Sequence, residues 1–202
     1  LIADPRRLHS VRHFTHQWLD VNNLRIATKD TELYPKFTDD VREGMLEETA
    51  LFFAHVMFDS TGALPELFVG QTSMLNAALA DFYGLDVPGL GADYEAVSLK
   101  EVPYGGILTH GSVLAAHAFS NSSSPIHRGV MVRERILCQE LPPPPPGVIV
   151  QIPPLDPELT TRERFMAHAE VEPCFGCHQL IDPIHRGLTR HGQGAIPKRR
   201  LP

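Results

Sequence analysis

Residues 39–59 read DDVREGMLEETALFFAHVMFD. Val41, Met45, Thr49, Phe52, Phe53, Val56 and Met57 recur at intervals that one helix gathers into an apolar stripe. Acidic residues crowd the first half of the stretch, where the helix macrodipole favours negative charge. This is the strongest helix in the sequence. With it the first two thirds of the chain read as a helical body, and the fold class as mostly α.

The segments around it support that reading. Upstream, DPRRLHSVRHFTHQWL (4–19) offers Asp4 as an N-cap and Pro5 at the first helical position. Leu8, Val11, Phe14 or Thr15, and Trp18 follow at helical spacing. KDTELYPKF (29–37) is a loop broken by Pro35. Downstream, ALPELFVGQ (63–71) predicts a short helical turn, and TSMLNAALADFYG (72–84) a longer helix ended by Gly84. DVPGLGAD (86–93) is a loop, and YEAVSL (94–99) alternates as the one expected strand. GGILTHGSVLAAHAF (105–119) is helical from about Thr109, and in NSSSPIHRGVMVRERILC (121–138) Ser124 caps a helix with Pro125 at N1.

LPPPPPG (141–147) has to be extended, because five prolines fix φ and donate no hydrogen bonds. It divides the chain into a helical body (1–140), a polyproline linker (141–147) and a small cytochrome c-like helical segment (148–202). In that last segment Thr160 and Glu163 have the spacing of a capping box.

The segment carries EPCFGCHQLIDP (172–183), with two of the three cysteines of the chain and a histidine directly after the second. C-x-x-C-H is the attachment pattern of c-type haem. Cys174 and Cys177 lie three apart, so one helical turn points both sulfurs to one face, where each adds across a porphyrin vinyl group. His178 then reaches the iron as an axial ligand. A zinc site needs a second ligand pair, and Cys138 alone remains. A thioredoxin-like pair needs a preceding strand, whereas the preceding segment reads as helix. A disulfide or two inert thiols stay open. Candidates for the second axial position are His117, His110 and Met166, since histidine and methionine are the usual sixth ligands. A five-coordinate iron would instead take up small ligands or peroxide. Arg128, Arg133 and Arg135 follow Pro125, and one of them suits a haem propionate, although surface pairing is the commoner use.

Two other constellations carry less. His9, His13 and His16 form a ridge on the first helix with no carboxylate or cysteine to complete a metal set, so solvation is the expected state. Ser112 and His117 suggest a hydrolase, but HGSVL has only the first glycine of a nucleophile elbow.

Charge and length bound the rest. The chain has 202 residues, a net charge of −6 and one basic run, Lys198–Arg200, so no nucleic-acid footprint exists. No stretch approaches a membrane span, and no signal peptide is visible. The opening LIADPRRL reads like the middle of a helical region, which suggests a piece of a longer polypeptide.

Taken in order, LIADPRRL…FTHQWLDVNNL, MLEETALFFAHVM, SMLNAALADFYG, GILTHGSVLAAHAFSNSSSPIHRGVMVRERILCQELPPPPPGV and TTRERFMAHAEVEPCFGCHQLIDPI resemble paired domains of unknown function in large exported proteins of planctomycetes and myxobacteria. Such proteins often carry a planctomycete-type cytochrome c domain further upstream. The resemblance runs to about Ile184, after which HRGLTRHGQGAIPKRRLP departs from the family's usual glycine- and aromatic-rich end. It implies a periplasmic or extracellular setting, one covalent haem c at Cys174, Cys177 and His178, and a redox partner protein or further haem domains of a longer chain. The function expected is electron transfer. The alternatives are an open-site haem enzyme acting on peroxide, oxygen or an extracellular polymer, and a structural module with a disulfide. In an oxidising compartment the odd thiol, Cys138, is placed to pair between chains.

Overall fold

Thr38 opens the central helix. Its backbone is extended, and its side chain accepts from the Val41 amide, which caps α2, Asp39–Ala54. Met45, Thr49 and Phe52 face inward as the stripe predicts, and so do Leu46, Glu48 and Ala50. Val56 is buried as well, within a π-turn over His55–Asp59, whereas Phe53 is half-buried and Met57 exposed. The computed structural model describes residue 4 and residues 6–100, 105–142, 152–156, 158–161, 163–165 and 178–181.

Most of the described elements pack on α2. Helix α1, Arg7–Trp18, lies along it. Asp4 does not cap α1 in the expected way. Its carboxylate accepts from Arg6, and the helix begins one residue after Arg6. Val11 and Thr15 turn inward, whereas Phe14 stays exposed and stacks on Trp18. Helix α3, Leu64–Val69, is the expected short turn.

Residues 72–84 differ from the helix predicted for them. The first four form strand β1, Thr72–Leu75, and only the remainder is helix α4, Ala77–Tyr83. Asn76 is the reason. Its side chain accepts from the Leu79 amide as an N-cap, so the helix cannot extend through it. Gly84, with φ of 70°, closes α4 in the left-handed conformation as expected. Strand β2, Glu95–Ser98, pairs antiparallel with β1, Ser73 opposite Val97. These two strands form the one sheet among the described residues.

Helix α5, Gly111–Ala116, follows a 3-10 turn at Ile107–Thr109 and packs on α2. Helix α6, Pro125–Met131, has Ser124 as its N-cap, accepting from the His127 amide, and runs into a second π-turn, Val132–Ile136. The chain is mostly helical, as its periodicity indicates. One apolar core runs from Leu19 through Met45, Phe52, Leu75 and Val97 to Val113 and Val132. The proline run, Pro142 apart, lies outside the described residues. Beyond it the capping box is present: Thr160 N donates to Glu163 Oε2 at 2.8 Å, and Glu163 N to Thr160 Oγ1 at 3.3 Å.

Candidate functional site

Cys174, Cys177 and Met166 lie outside the described residues. His178 lies inside them. It is buried and, among the described residues, lies in the helical stretch 178–181. That turn docks on α6 and the π-turn after it. Arg133 Nη1 donates to the Leu180 carbonyl at 2.7 Å. Gly129 lies beneath Ile181, and a Cβ on Gly129 would overlap the Ile181 side chain. The backbone that follows the cysteine pair is therefore fixed by a glycine that admits it and a guanidinium that ties it down. A buried imidazole held this way, with two thiols at the adjoining spacing, is a donor set that suits a covalently attached haem iron.

The arginines around this turn differ from those near the start of the chain. Arg6, Arg7, Arg12, Arg25 and Arg42 each form an ion pair, with Asp4, Asp59, Glu47, Glu43 and Asp39. Arg128 and Arg133 have no such partner among the described residues. Arg128 is only 4% exposed, and its one hydrogen bond there is a long one, Nε to the Ser124 carbonyl at 3.4 Å. Burial lowers its pKa to about 10, so it keeps its charge at neutral pH.

His117 is buried at the end of α5, and its Nε2 donates to the Leu19 carbonyl at 2.9 Å. A carbonyl only accepts, so the lone pair of this neutral ring is on Nδ1. Burial lowers its pKa, and the donation to Leu19 acts the other way. His117 lines a cavity of about 330 Å³ with Asp20, Asn23, His127, Glu134 and Arg135. Asp20 holds a φ of 52°, a conformation uncommon for a residue with a side chain.

His110 belongs to a different place, a buried polar network against α2. Thr49 Oγ1 donates to the Met45 carbonyl at 3.0 Å. That uses its single proton, so it accepts from Ser112 Oγ at 2.6 Å and from His110 Nδ1 at 3.1 Å. His110 is thereby a neutral ring with its lone pair on Nε2. Burial holds its pKa down at about 3, and the ring sits 4.8 Å from that of Phe52. Next to Thr49, Glu48 is 3% exposed and accepts from Ser73 Oγ at 2.6 Å and Tyr83 Oη at 2.5 Å. Burial raises its pKa to about 7, against the pull of those two hydrogen bonds. Glu48, Tyr83 and His110 share a cavity of about 30 Å³, a space for water rather than for a macrocycle.

Sequence reasoning named His110 and Ser112 but assigned no role to Glu48, Ser73 or Tyr83. Ser112 and His117, considered above as hydrolase partners, are separately engaged, with Thr49 and with Leu19. On α1, His9 and His13 are exposed, but His16 is buried and donates from Nε2 to the Leu46 carbonyl at 3.0 Å, where solvation was expected. Among the described residues no set of three His, Cys, Asp or Glu side chains is arranged to hold a metal ion. Cys138 is an exposed free thiol with a φ of 53°.

Comparison with known families agrees with the paired-domain resemblance. Residues 1–85 match PSD4, a protein of unknown function (DUF1592), and residues 104–195 match PSCyt3, a protein of unknown function (DUF1588). The chain thus carries a PSD4 and a PSCyt3 domain, the planctomycete cytochrome-associated families. No curated protein and no solved structure matches it. No described helix is long and apolar enough to cross a membrane.

Proposed function

We propose that this chain is a c-type cytochrome module of an exported multi-domain protein, carrying one covalent haem and passing electrons to a redox partner or to neighbouring haem domains. The observation that carries the reading is His178, buried directly after a C-x-x-C pair in a turn anchored to α6. The PSCyt3 match adds to it, since the family's name links it to cytochromes.

In this reading Cys174 and Cys177 tether the macrocycle by thioethers, and residues 148–202 form the attaching unit beyond the proline linker. His178 would ligate the iron. Arg133 and Gly129 fix the backbone after it, so the imidazole is oriented before the iron arrives. The haem, when bound, supplies the one-electron chemistry. A second iron ligand would come from His117 or Met166: hydrogen bonding leaves a lone pair on Nδ1 of His117, whereas His110 faces a cavity with room only for water. The setting is periplasmic or extracellular, where haem attachment to thiols takes place.

Intact-protein mass spectrometry of chain produced with haem-attachment machinery tests this. The expected result is one added haem mass, lost in Cys174→Ser and in Cys177→Ser. A loss of two hydrogens with no haem mass would replace the reading with a disulfide-bearing structural module.

A further inference from the structure

The corner that follows α1 is held from two sides. His117 Nε2 donates to the Leu19 carbonyl at 2.9 Å, and Trp18 Nε1 donates to the Arg135 carbonyl at 2.9 Å. The first bond ties the corner to the end of α5, the second to the π-turn after α6. Asp20, directly after Leu19, takes its φ of 52° at this corner. The cavity of about 330 Å³ lies among these pieces. Small-molecule sites run from about 300 to 1,000 Å³, so it is large enough for one. Hydrogen bonds fix its walls before any ligand arrives, which lowers the entropy cost of binding.

The lining selects the ligand. Asp20 and Glu134 bring carboxylates, Arg135 a guanidinium and Asn23 an amide, all on exposed residues. Burial lowers the pKa of both lining histidines, His117 and His127, which keeps them uncharged at neutral pH. An anion here meets two carboxylates, and a cation meets the guanidinium. A neutral ligand avoids both repulsions. Carboxylates accept, a guanidinium donates and an amide does both, so the polar edge of the ligand has to donate and accept, as hydroxyls do. Ala116, Ala118, Val130 and Met131 add apolar surface, which suits a ligand with an apolar face. A sugar ring has both, hydroxyls around its edge and C–H bonds on its faces. An aromatic pair adjoins the Arg135 side. Phe14, 52% exposed, stacks on Trp18 with ring centres 5.8 Å apart, and Trp18 is bonded to Arg135. Such a ring offers apolar surface to the C–H face of a second sugar.

We propose that the cavity between the 18–23 corner, the end of α5 and the π-turn after α6 binds a neutral sugar residue, with Asp20, Glu134 and Arg135 pairing its hydroxyls. The proposal does not rest on the haem reading, and of that reading it excludes only His117 as an iron ligand.

The test is an NMR titration of the full chain with neutral oligosaccharides of glucose, galactose, mannose and xylose, and with glucosamine and glucuronate as charged counterparts. Saturation transfer reports binding, and the ring signals of His117 and His127 report its place. The expected result is that at least one neutral series binds and shifts both histidines. Glu134→Ala, at an exposed residue, should weaken that binding about tenfold, the size of one hydrogen bond to a charged group. Asp20→Asn should weaken it too, with a residue that tolerates the left-handed conformation. Leu64→Ala, an exposed position outside the lining, should leave it unchanged. If Asp20→Asn does not fold, Glu134→Ala and Arg135→Ala decide. The proposal is overturned if no neutral series binds, if only the charged sugars bind, if bound sugar leaves both histidine signals in place, or if Glu134→Ala and Arg135→Ala bind as wild type does.

Discussion

Glu48 sits on the apolar stripe itself, three residues after Met45 and four before Phe52. Its net effect on stability has a definite sign. Burial raises its folded pKa to about 7 from the ordinary 4.5, so between those values the folded chain binds the proton and the unfolded chain releases it. The stabilisation is complete below about pH 4.5 and is lost as pH climbs through about 7. The loss is on the order of 3 kcal/mol at one unit per 1.36 kcal/mol. Glu48→Gln mimics the protonated acid, with its amide able to donate to Ser73 Oγ. Four histidines held below their ordinary pKa by burial make both proteins gain stability as pH rises from 5, so the Glu48 contribution is read as a difference: in urea unfolding the stability of Glu48→Gln relative to wild type should increase from pH 5 to 8, and a constant difference would contradict the assignment. The position was legible, since helical spacing alone puts residue 48 on the inner face. Counting acidic residues as macrodipole partners hid it. Tyr83 and Ser73 were not legible, because a hydroxyl's partner across 25 to 35 residues leaves no local pattern.

At the scale of elements, α6 and the 178–181 turn depend on one missing side chain. Gly129→Ala puts a methyl group into Ile181, an overpacking that costs roughly 1–3 kcal/mol unless the turn moves away. The midpoint of urea unfolding should fall in Gly129→Ala, and fall less when the same change is made on an Ile181→Ala background; an equal fall on both backgrounds would mean that the two residues do not act through this contact. The helices and their caps were largely readable, because capping is local: Ser124, Gly84 and the Thr160–Glu163 box all act as their spacing implies. Strand β1 was not. Four residues, Thr72–Leu75, are too short for a period, and their partner β2 lies about twenty residues away. Asn76 held the missing cue, as a strong N-cap in the middle of a supposed helix.

At the scale of the molecule, the PSD4 and PSCyt3 stretches do not occupy separate bodies. Leu19, Met45 and Phe52 of the first share a core with Ile107, Val113 and Val132 of the second. Lys29 Nζ donates to the carbonyls of Ala118 and Phe119 at 3.2 and 2.9 Å, His117 to that of Leu19, and Trp18 Nε1 to that of Arg135 at 2.9 Å. Residues 1–100 expressed alone should bind a hydrophobic dye and melt without a cooperative transition, whereas residues 1–142 should melt cooperatively. A sharp two-state transition in the shorter piece would show that the first stretch suffices. This interlocking was beyond sequence reading, since helical periodicity marks which face is apolar but not which element covers it.

The interlock bears on inheritance. A genetic rearrangement that parted the two halves would leave each with raw apolar surface and severed clasps, and quality-control proteases act on such chains. The boundary between the family names is therefore a poor place to cut or splice, and lineages that shuffle modules of this kind have to move both halves as a single cassette.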